Sequence, residues 1–428
     1  MNKRSPILQA VNTKKDWLAY IEQCHATTID LGLERVNEVA KRLKLLPFTC
    51  PVIMVAGTNG KGSCVELSRA ILSAAGYRVA TYTSPHLLCF NERIQVGGIP
   101  ITDQALMDAL EQVEKARDQI SLTYFEFSTL AALYHFKQAV LDFIILEVGL
   151  GGRLDAVNCV DADIAVISTI ALDHMQWLGS TKELIAKEKA GILRSGKPCV
   201  FGDHVSSRNV FSHATALNSP LYQQGESFRY QKNQTHPHWC WHSQSQSLSD
   251  LPLPQLELQN AATVLQVIEL LAQHYPITRE AIEVGLKTAC LPGRFQILTE
   301  EPLEIILDVA HNPAGACCLA KRLATRPIAG KTHVVLGMLK DKDAHNTLAP
   351  LLAQTDYWYL TDLAVARGAT SASLRQWLPL AVAGSDRVGE FASPLLAYQQ
   401  ARLMASGGDR LIVCGSFHTV APIYTARV

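Results

Sequence analysis

One stretch of the sequence, residues 54–63 (MVAGTNGKGS), combines the residue types that hold a nucleotide phosphate. Its glycines let backbone N–H groups close around phosphate oxygens, Lys61 adds a point charge, and the Ser63 hydroxyl can face Mg²⁺. The spacing departs from the usual phosphate loop, because Gly57 and Gly60 are closer together and Gly62 precedes Ser63. The alternative is an ordinary glycine-rich turn between a strand and a helix. We predict a phosphate loop.

Polar residues also follow three other apolar runs. Ser84 follows the second predicted strand, Glu147 ends the run FIILE, and Asp173 and His174 follow ADIAVISTIAL. Because ligands collect at the carboxyl ends of parallel strands, these residues predict a metal and phosphate-transfer centre. Each also has a structural interpretation: Ser84 as a helix cap, Glu147 as a turn acceptor and His174 as a core histidine.

The turn that follows Glu147, residues 149–152, is rich in glycine and lets the backbone approach a ligand. Lys187 and Lys189 lie near the end of a predicted helix at 181–193, where lysines commonly complement the helix dipole. In the second half of the chain, Arg294 and Asp308 could hold a nucleotide or form a structural ion pair.

A further set of residues has the chemistry of a metal site. His236, His238, Cys240 and His242 alternate, so that a strand would present all four on one face and could bind zinc. Trp239 and Trp241 would occupy the other face. An exposed polar face opposite packed tryptophans is the simpler interpretation, and we favour it over zinc.

The elements that must position these residues alternate between strands and helices. Strands are predicted at 51–55, 78–82, 142–148 and 162–169, and helices at 63–75, 102–119 and 127–139. This pattern predicts an α/β fold, with an N-terminal doubly wound phosphate-loop domain at 1–292 and a smaller C-terminal Rossmann-like domain at 293–428. A polar segment at about 222–250 fits a small excursion from the first domain.

Composition excludes several classes of function. The 39 basic and 39 acidic residues balance, so that neither nucleic acid nor a membrane surface is expected as a partner. The N-terminal segment lacks the apolar core of a secretory signal. Eleven cysteines without CxxC pairs are typical of a reducing cytoplasm.

Eight motifs together resemble a known family. In chain order they are GTNGKGS, TSPHL, LEVGLGGRLDA, LDHMQWLG, KEKAGI, LPGRFQ, LDVAHNP and CGSFHTV. The order is that of folylpolyglutamate synthases and dihydrofolate synthases in the Mur ligase superfamily. The resemblance extends over residues 28–420, and the segment 28–36 is similar to the bifunctional bacterial enzymes.

The resemblance implies roles for individual residues. For ATP these are Thr58, Asn59, Gly60, Lys61, Gly62, Ser63, Asn260, Arg294 and Asp308. For Mg²⁺ they are Ser84, Glu147 and His174. For the pterin they are Asp30, Leu31, Gly32, Thr123, Tyr124, Phe125, Glu126, Leu154, Asp155 and Ala156. Lys61, His174 and Lys189 would be catalytic.

Two of these assignments rest on the resemblance alone. Lys189 would carry a carboxyl group derived from CO₂, although Lys187 stands where the family often has arginine. The histidine ligand is also unexpected, since Mg²⁺ prefers oxygen. Two Mg²⁺ ions are implied, and K⁺ stays open as a further cation.

The implied activity is ATP-dependent ligation of L-glutamate, through an acyl phosphate, to dihydropteroate and to the γ-carboxyl of tetrahydrofolate. ATP would bind in the cleft between the domains of a monomer. A monofunctional folylpolyglutamate synthase is the main alternative. A GTPase-like switch would need an NKxD motif, which we do not find. A Mur ligase for a UDP-sugar substrate usually has another N-terminal domain, for which the loop at residue 57 leaves no room.

Overall fold

The structure is a computed structural model that describes residues 11–233, 236–300 and 302–426. The first ten residues, which belong to the segment tested for a signal, lie outside the described part. The chain divides between Ala289 and Cys290 into two compact units.

Eight strands of the first unit form one sheet in the order β4-β3-β2-β5-β1-β6-β7-β8. Their bounds are β1 Val52–Ala56, β2 Val79–Tyr82, β3 Ile94–Val96, β4 Ile99–Pro100, β5 Phe143–Glu147, β6 Ile164–Ile167, β7 Cys199–Phe201 and β8 Leu221–Gln223. The strands β2, β5, β1, β6, β7 and β8 are parallel, whereas β3 and β4 are antiparallel. The apolar runs predicted as strands are therefore β1, β2, β5 and β6.

The two central strands explain why these runs are apolar. Every residue of β1 and β5 is buried, including Glu147 at the end of β5. A parallel strand with helices on both faces has no solvent side, so that its sequence is nearly all apolar. An acidic residue at its end is therefore conspicuous.

The helices of the first unit pack on its strands and on one another. Their bounds are Lys14–Ile21, Glu34–Arg42, Lys61–Ala74, Asp103–Arg117, Tyr124–Lys137, Met175–Leu178, Lys182–Ala190, Arg208–Ala216, Leu258–Ala272 and Arg279–Thr288.

Two helices begin earlier than predicted, and capping explains one of them. The helix expected at 127–139 begins at Tyr124, because the Thr123 and Glu126 side chains form a reciprocal capping box. The helix expected at 63–75 begins at Lys61, directly after Gly60 in the left-handed conformation.

The chain crosses the sheet in two directions. From β1 it continues to β2 on one side, and from β5 it continues to β6 on the other, while β1 itself lies between β5 and β6. Such a reversal of strand order opens a crevice at the carboxyl ends of the strands, where ligands of α/β proteins bind. The phosphate loop follows β1, and Glu147 is the last residue of β5.

The polar excursion is a separate antiparallel sheet in the order β11-β10-β9. Its strands are β9 Phe228–Lys232, β10 His238–Ser243 and β11 Ser247–Pro252. Trp239 and Trp241 are fully buried, as the favoured interpretation of their alternation predicts.

The second unit contains a six-stranded sheet in the order β12-β13-β17-β14-β15-β16. Its strands are β12 Gln296–Glu300, β13 Leu303–Leu307, β14 Thr332–Leu336, β15 Tyr357–Thr361, β16 Val388–Phe391 and β17 Arg410–Cys414. Its helices are Pro313–Ala324, Ala344–Leu348, Ser371–Arg375, Leu380–Ala383, Pro394–Met404 and Phe417–Thr425. All neighbours except β12 and β13 are parallel, which agrees with a Rossmann-like unit.

Candidate active site

The phosphate loop joins β1 to the helix Lys61–Ala74. Gly57 and Gly60 have φ values of 153° and 86°, which L side chains rarely adopt. A Cβ on Gly60 would lie 2.4 Å from Oδ1 of Asn260, so that this predicted ATP contact packs against the loop. Because the helix begins at Lys61, the loop leads directly into a helix N-terminus, which is a common site for binding an anion.

Two residues that sequence reasoning missed hold this loop. The N–H groups of Thr58 and Asn59 donate to the carbonyl and hydroxyl oxygens of Thr169, at 2.8 and 3.2 Å. The Ser168 hydroxyl donates to the Asn59 carbonyl at 2.6 Å. Two hydroxyl residues at the end of the apolar run ADIAVIST were the available signal. The loop is therefore held in shape by the end of β6.

Lys189 lies beside the loop and is buried, with 3% of its surface exposed. Burial, together with the nearby charge of Lys61, lowers the pKa of its amine to about 7, while the charges of Asp173 and Asp155 act in the opposite direction. A lysine that only complemented the helix dipole would extend into solvent, so that interpretation does not fit. Lys61 itself donates to the carbonyl oxygens of Gly57 and Thr58, at 3.1 and 3.3 Å.

The glycine-rich turn after β5 brings two predicted pterin residues to the same place. Asp155 accepts hydrogen bonds from the N–H groups of Leu150 and Val157, at 2.8 and 3.0 Å. Burial raises the pKa of its carboxyl group to about 7. The Phe125 ring packs against Gly149, where a Cβ would lie 2.5 Å from Cζ of the ring. Leu154 and Ala156 flank Asp155 on this turn.

The remaining pterin candidates are joined by Arg35, which was not predicted. Its guanidinium contacts Asp30 at 2.6 Å and Glu126 at 3.1 Å. Arg35 therefore ties the segment that contains Asp30, Leu31 and Gly32 to the start of the helix Tyr124–Lys137. The side chains of Thr123 and Glu126 cap that helix. A long-range pair of this kind leaves no local pattern in the sequence.

The three predicted metal ligands lie at three strand ends. The Ser84 N–H donates to a carboxylate oxygen of Glu147 at 3.2 Å, which brings these two residues together. His174 follows β6 with a left-handed backbone, φ 50°. Its Nε2 is 3.9 Å from Oδ1 of Asp173, and 37% of its side chain is exposed, so that it is not a core histidine.

Three of the sequence motifs, those that contain Arg294, Asp308 and Phe417, lie in the second unit. Asp308 is partly buried and accepts hydrogen bonds from the N–H groups of Phe295 and Ala310, at 2.8 and 2.7 Å. Burial raises the pKa of its carboxyl group, and the charge of Arg294 opposes that rise. The Arg294 guanidinium lies 5.5 Å from the centre of the Phe417 ring. The LPGRFQ, LDVAHNP and CGSFHTV motifs therefore meet within this unit.

Within the described part of the chain, the alternating histidines belong to no group that could hold a metal ion. His238 pairs with Asp250 at 3.2 Å, and His242 contacts the Ser247 hydroxyl at 2.9 Å. His236 precedes β10 rather than lying on it. Across residues 11–233, 236–300 and 302–426, no group of three or more histidine, cysteine or acidic residues could hold a metal ion.

Family models match both halves of the chain. Residues 55–235 match the Mur ligase middle domain, and residues 293–417 match the Mur ligase glutamate ligase domain. The dihydrofolate synthase/folylpolyglutamate synthase of Escherichia coli is 45% identical over 98% of this chain and 96% of its own length. The chain belongs to the dihydrofolate synthase/folylpolyglutamate synthase family of the Mur ligases. Its members are ATP-dependent ligases.

Solved structures of this family have the same fold. Escherichia coli FolC in complex with DHPP and ADP matches with a TM-score of 0.92 and 44% identity, over 98% of both chains. A bifunctional folylpolyglutamate synthase/dihydrofolate synthase with Mn, AMPPNP and L-glutamate bound matches with a TM-score of 0.90 and 45% identity, again over 98% of both chains.

The described residues contain no helix that is long and apolar enough to cross a membrane.

Proposed function

We propose that the chain joins L-glutamate to the carboxylate of a pterin compound and converts ATP to ADP and phosphate in the reaction. We further propose that it accepts both dihydropteroate and tetrahydrofolate. One observation carries this proposal: buried Lys189 lies beside Lys61 of the phosphate loop, with Asp155 and Asp173 close by. A glycine-rich loop suited to phosphate, a titratable amine and carboxylates thus occur together at one sheet edge. The names of its relatives support dihydropteroate and folate as the acceptors.

A divalent cation fits the residues at this edge. Glu147 is 5% exposed and lies beside Ser84, so that a carboxylate and a hydroxyl offer the oxygen ligands that Mg²⁺ prefers. We propose Ser84, Glu147 and His174 as the residues that hold Mg²⁺, with two ions in all and K⁺ as a further candidate. When bound, Mg²⁺ neutralises charge on the transferring phosphoryl group.

We propose that Lys189 reacts with CO₂ to form a carbamate. The reaction needs the neutral amine, and a pKa of about 7 makes that form abundant at neutral pH. The anionic product would lie near the Lys61 ammonium, which favours it electrostatically. It would also supply an oxygen ligand suited to Mg²⁺.

The chemical steps follow from these groups. A carboxylate oxygen of the acceptor attacks the γ-phosphorus of ATP, the bond to ADP breaks, and an acyl phosphate forms. Lys61 and the loop N–H groups stabilise the charge on the transferring group. The amine of L-glutamate then attacks the acyl carbon, loses a proton and expels phosphate. Thr58, Asn59, Asn260, Arg294 and Asp308 are proposed as further ATP contacts.

The acceptors differ in the distance between the pterin ring and the reacting carboxylate, so we propose two positions for the ring. Phe125, Leu31 and Ala156 supply the apolar wall for dihydropteroate, since a flat ring packs well against such a surface. The bifunctional names of the similar proteins favour this over a monofunctional folylpolyglutamate synthase.

We also propose that the enzyme is a cytoplasmic monomer. All eleven cysteines lie in the described residues and none forms a disulfide, which suits a reducing compartment. Light scattering of the purified protein would test the monomer.

Acceptor-dependent release of ADP tests the proposal. Purified enzyme is supplied with ATP and L-glutamate, and with dihydropteroate, tetrahydrofolate or a UDP-muramyl substrate in parallel. We expect ADP and a glutamylated product with the first two acceptors and neither with the third. Product with tetrahydrofolate alone would show a monofunctional synthase, and product only with the UDP-muramyl substrate would overturn the proposal.

A further inference from the structure

Arg93 lies at the same edge of the sheet as the phosphate loop, although the roles described so far do not use it. It ends a short turn of 3₁₀-helix, Phe90–Arg93, that leads into β3. Its carbonyl accepts a hydrogen bond from the Thr83 N–H at 2.9 Å. Because Thr83 follows β2 and precedes Ser84, Arg93 lies at the carboxyl end of β2, beside the proposed metal ligands.

The side chain of Arg93 extends between the TSPHL turn and the pterin candidates. Its Nε donates to Nδ1 of His86 at 2.9 Å. The guanidinium lies 5.4 Å from the centre of the Tyr124 ring and 5.5 Å from that of Phe90. Only 8% of the residue is exposed. The charge is therefore placed between His86, two residues after the proposed metal ligand Ser84, and Tyr124, one of the proposed pterin residues.

Arg93 differs from comparable arginines of the first unit in having no acidic partner among the described residues. Arg35, Arg69 and Arg117 each contact a carboxylate within 3 Å, as shown by their distances of 2.6 Å. The neighbouring acid, Glu92, is occupied by three backbone N–H groups, those of residues 87, 88 and 89. A largely buried charge without a counter-charge is costly, which points to an anionic ligand.

The unbonded nitrogens of Arg93 can reach such a ligand. The described residues supply no acceptor for Nη1 or Nη2, yet neither is among the buried atoms that lack a hydrogen bond. Both therefore retain contact with solvent. A guanidinium with two free N–H edges suits a carboxylate, which it can bind through two parallel hydrogen bonds.

We propose that Arg93, held by His86, binds the α-carboxylate of the terminal glutamate of a folate acceptor and so directs the reaction to its γ-carboxylate. This rests on the proposed function. Dihydropteroate has one carboxylate, which reacts, and needs no such partner. A folate that ends in glutamate has two carboxylates a few bonds apart, so one must be held while the other is phosphorylated.

Steady-state kinetics of the full-length Arg93→Gln variant test this subsite. We expect KM for tetrahydrofolate to rise on the order of tenfold to a hundredfold, because a buried charge pair is lost. We expect kcat/KM for dihydropteroate to change less than about threefold. Arg93→Lys should recover part of the tetrahydrofolate affinity. Arg117→Gln is the matched control, since Arg117 is a partly buried arginine paired with Glu114, and it should leave the ratio between the acceptors unchanged.

A second measurement changes the acceptor and compares the wild type with Arg93→Gln. The wild-type enzyme is given tetrahydrofolate whose α-carboxylate is converted to an amide, which should lower kcat/KM as much as Arg93→Gln does, and the variant should not discriminate between the amide and the acid. Equal loss with both acceptors, or full activity of the wild type on the amide, would overturn the subsite. A wild type that glutamylates neither acceptor would instead overturn the proposed function.

Discussion

Two regions of the first unit contain residues with the chemistry of a site, and they have opposite outcomes. At the phosphate-loop edge, Lys189 is 3% exposed and its pKa is lowered to about 7. On the three-stranded sheet, His238 and His242 are partly exposed and contact a nearby aspartate and serine. Residue type suggested a metal at both places.

The difference lies in the elements that present these residues. Parallel strands of a doubly wound sheet end at one edge, so that residues distant in sequence converge in a largely buried crevice. An antiparallel sheet with one packed face leaves its other face to solvent, where polar residues find local partners. Burial and convergence, more than residue type, therefore mark the site.

Among the substitutions considered, Lys61→Ala should have the largest effect on activity, at the edge of the sheet where burial and convergence mark the site. Removing the charge that is proposed to face the transferring phosphoryl group should lower ADP release on the order of a thousandfold, while the fold persists. The matched control is Lys197→Ala, since Lys197 pairs with Asp163 at the surface. Circular dichroism would check the fold. Wild-type turnover in Lys61→Ala would mean that the loop is not the catalytic nucleotide site.

Lys189→Ala should lower turnover about a hundredfold or more, because the proposed carbamate, a charged oxygen ligand, is lost. The control is Lys187→Ala on the same helix. Activity should also fall as the pH drops below about 7, since the amine is then protonated and cannot react with CO₂. Intact mass measured with CO₂ present should show the carboxyl group. An unmodified Lys189 with unchanged activity of the alanine variant, or a carboxyl group on Lys187, would contradict the assignment.

Gly60→Ala should lower ADP release about tenfold to a hundredfold, since a methyl group there meets the Asn260 side chain in a strained backbone. Gly76 is the matched control. It too has a positive φ, of 90°, but nothing lies within 4 Å of the position that a Cβ would take. Gly76→Ala should cost stability, measured by thermal unfolding, without loss of activity. If both variants lost activity equally, the strained backbone, and not the contact with Asn260, would be the cause.

Phe125→Ala should separate the two acceptors. We expect kcat/KM for dihydropteroate to fall about tenfold and that for tetrahydrofolate to fall less, because only the first is proposed to pack against this ring. Parallel kinetics with both acceptors measure the ratio. An equal loss would indicate a single shared pterin position.

The smallest effect is expected on the three-stranded sheet. His238→Ala and His242→Ala should leave activity within about twofold and stability within about 0.5 kcal/mol of the wild type. Elemental analysis of the purified protein should find no stoichiometric zinc. Zinc that is lost in both variants would restore the metal interpretation.

Much of the fold follows from local patterns in the sequence. The apolar runs predicted β1, β2, β5 and β6, and their alternation with helices predicted the class of fold. The start of the helix Tyr124–Lys137 was missed because the TYFE segment was interpreted only through the pterin, although Thr123 and Glu126 also form a capping box. Capping is local, so this signal was available.

The contacts that complete the site are different in kind. Thr169 holds a loop more than a hundred positions earlier in the chain, and Arg35 reaches Glu126 across two helices. Arg93 has no acidic partner among the described residues, and only the folded structure can show this. The burial that shifts the pKa of Lys189 is likewise a property of the folded chain. Such features depend on long-range contacts that no spacing rule encodes.

The central claim is that this edge activates a pterin carboxylate as an acyl phosphate. Isotope transfer tests it most directly: dihydropteroate labelled with ¹⁸O in its carboxylate is converted with ATP and L-glutamate, and the released phosphate is examined by mass spectrometry. The account predicts one ¹⁸O atom in each phosphate, because a carboxylate oxygen becomes the bridging atom and leaves with phosphorus. Phosphate without label, formed together with dihydrofolate, would contradict it.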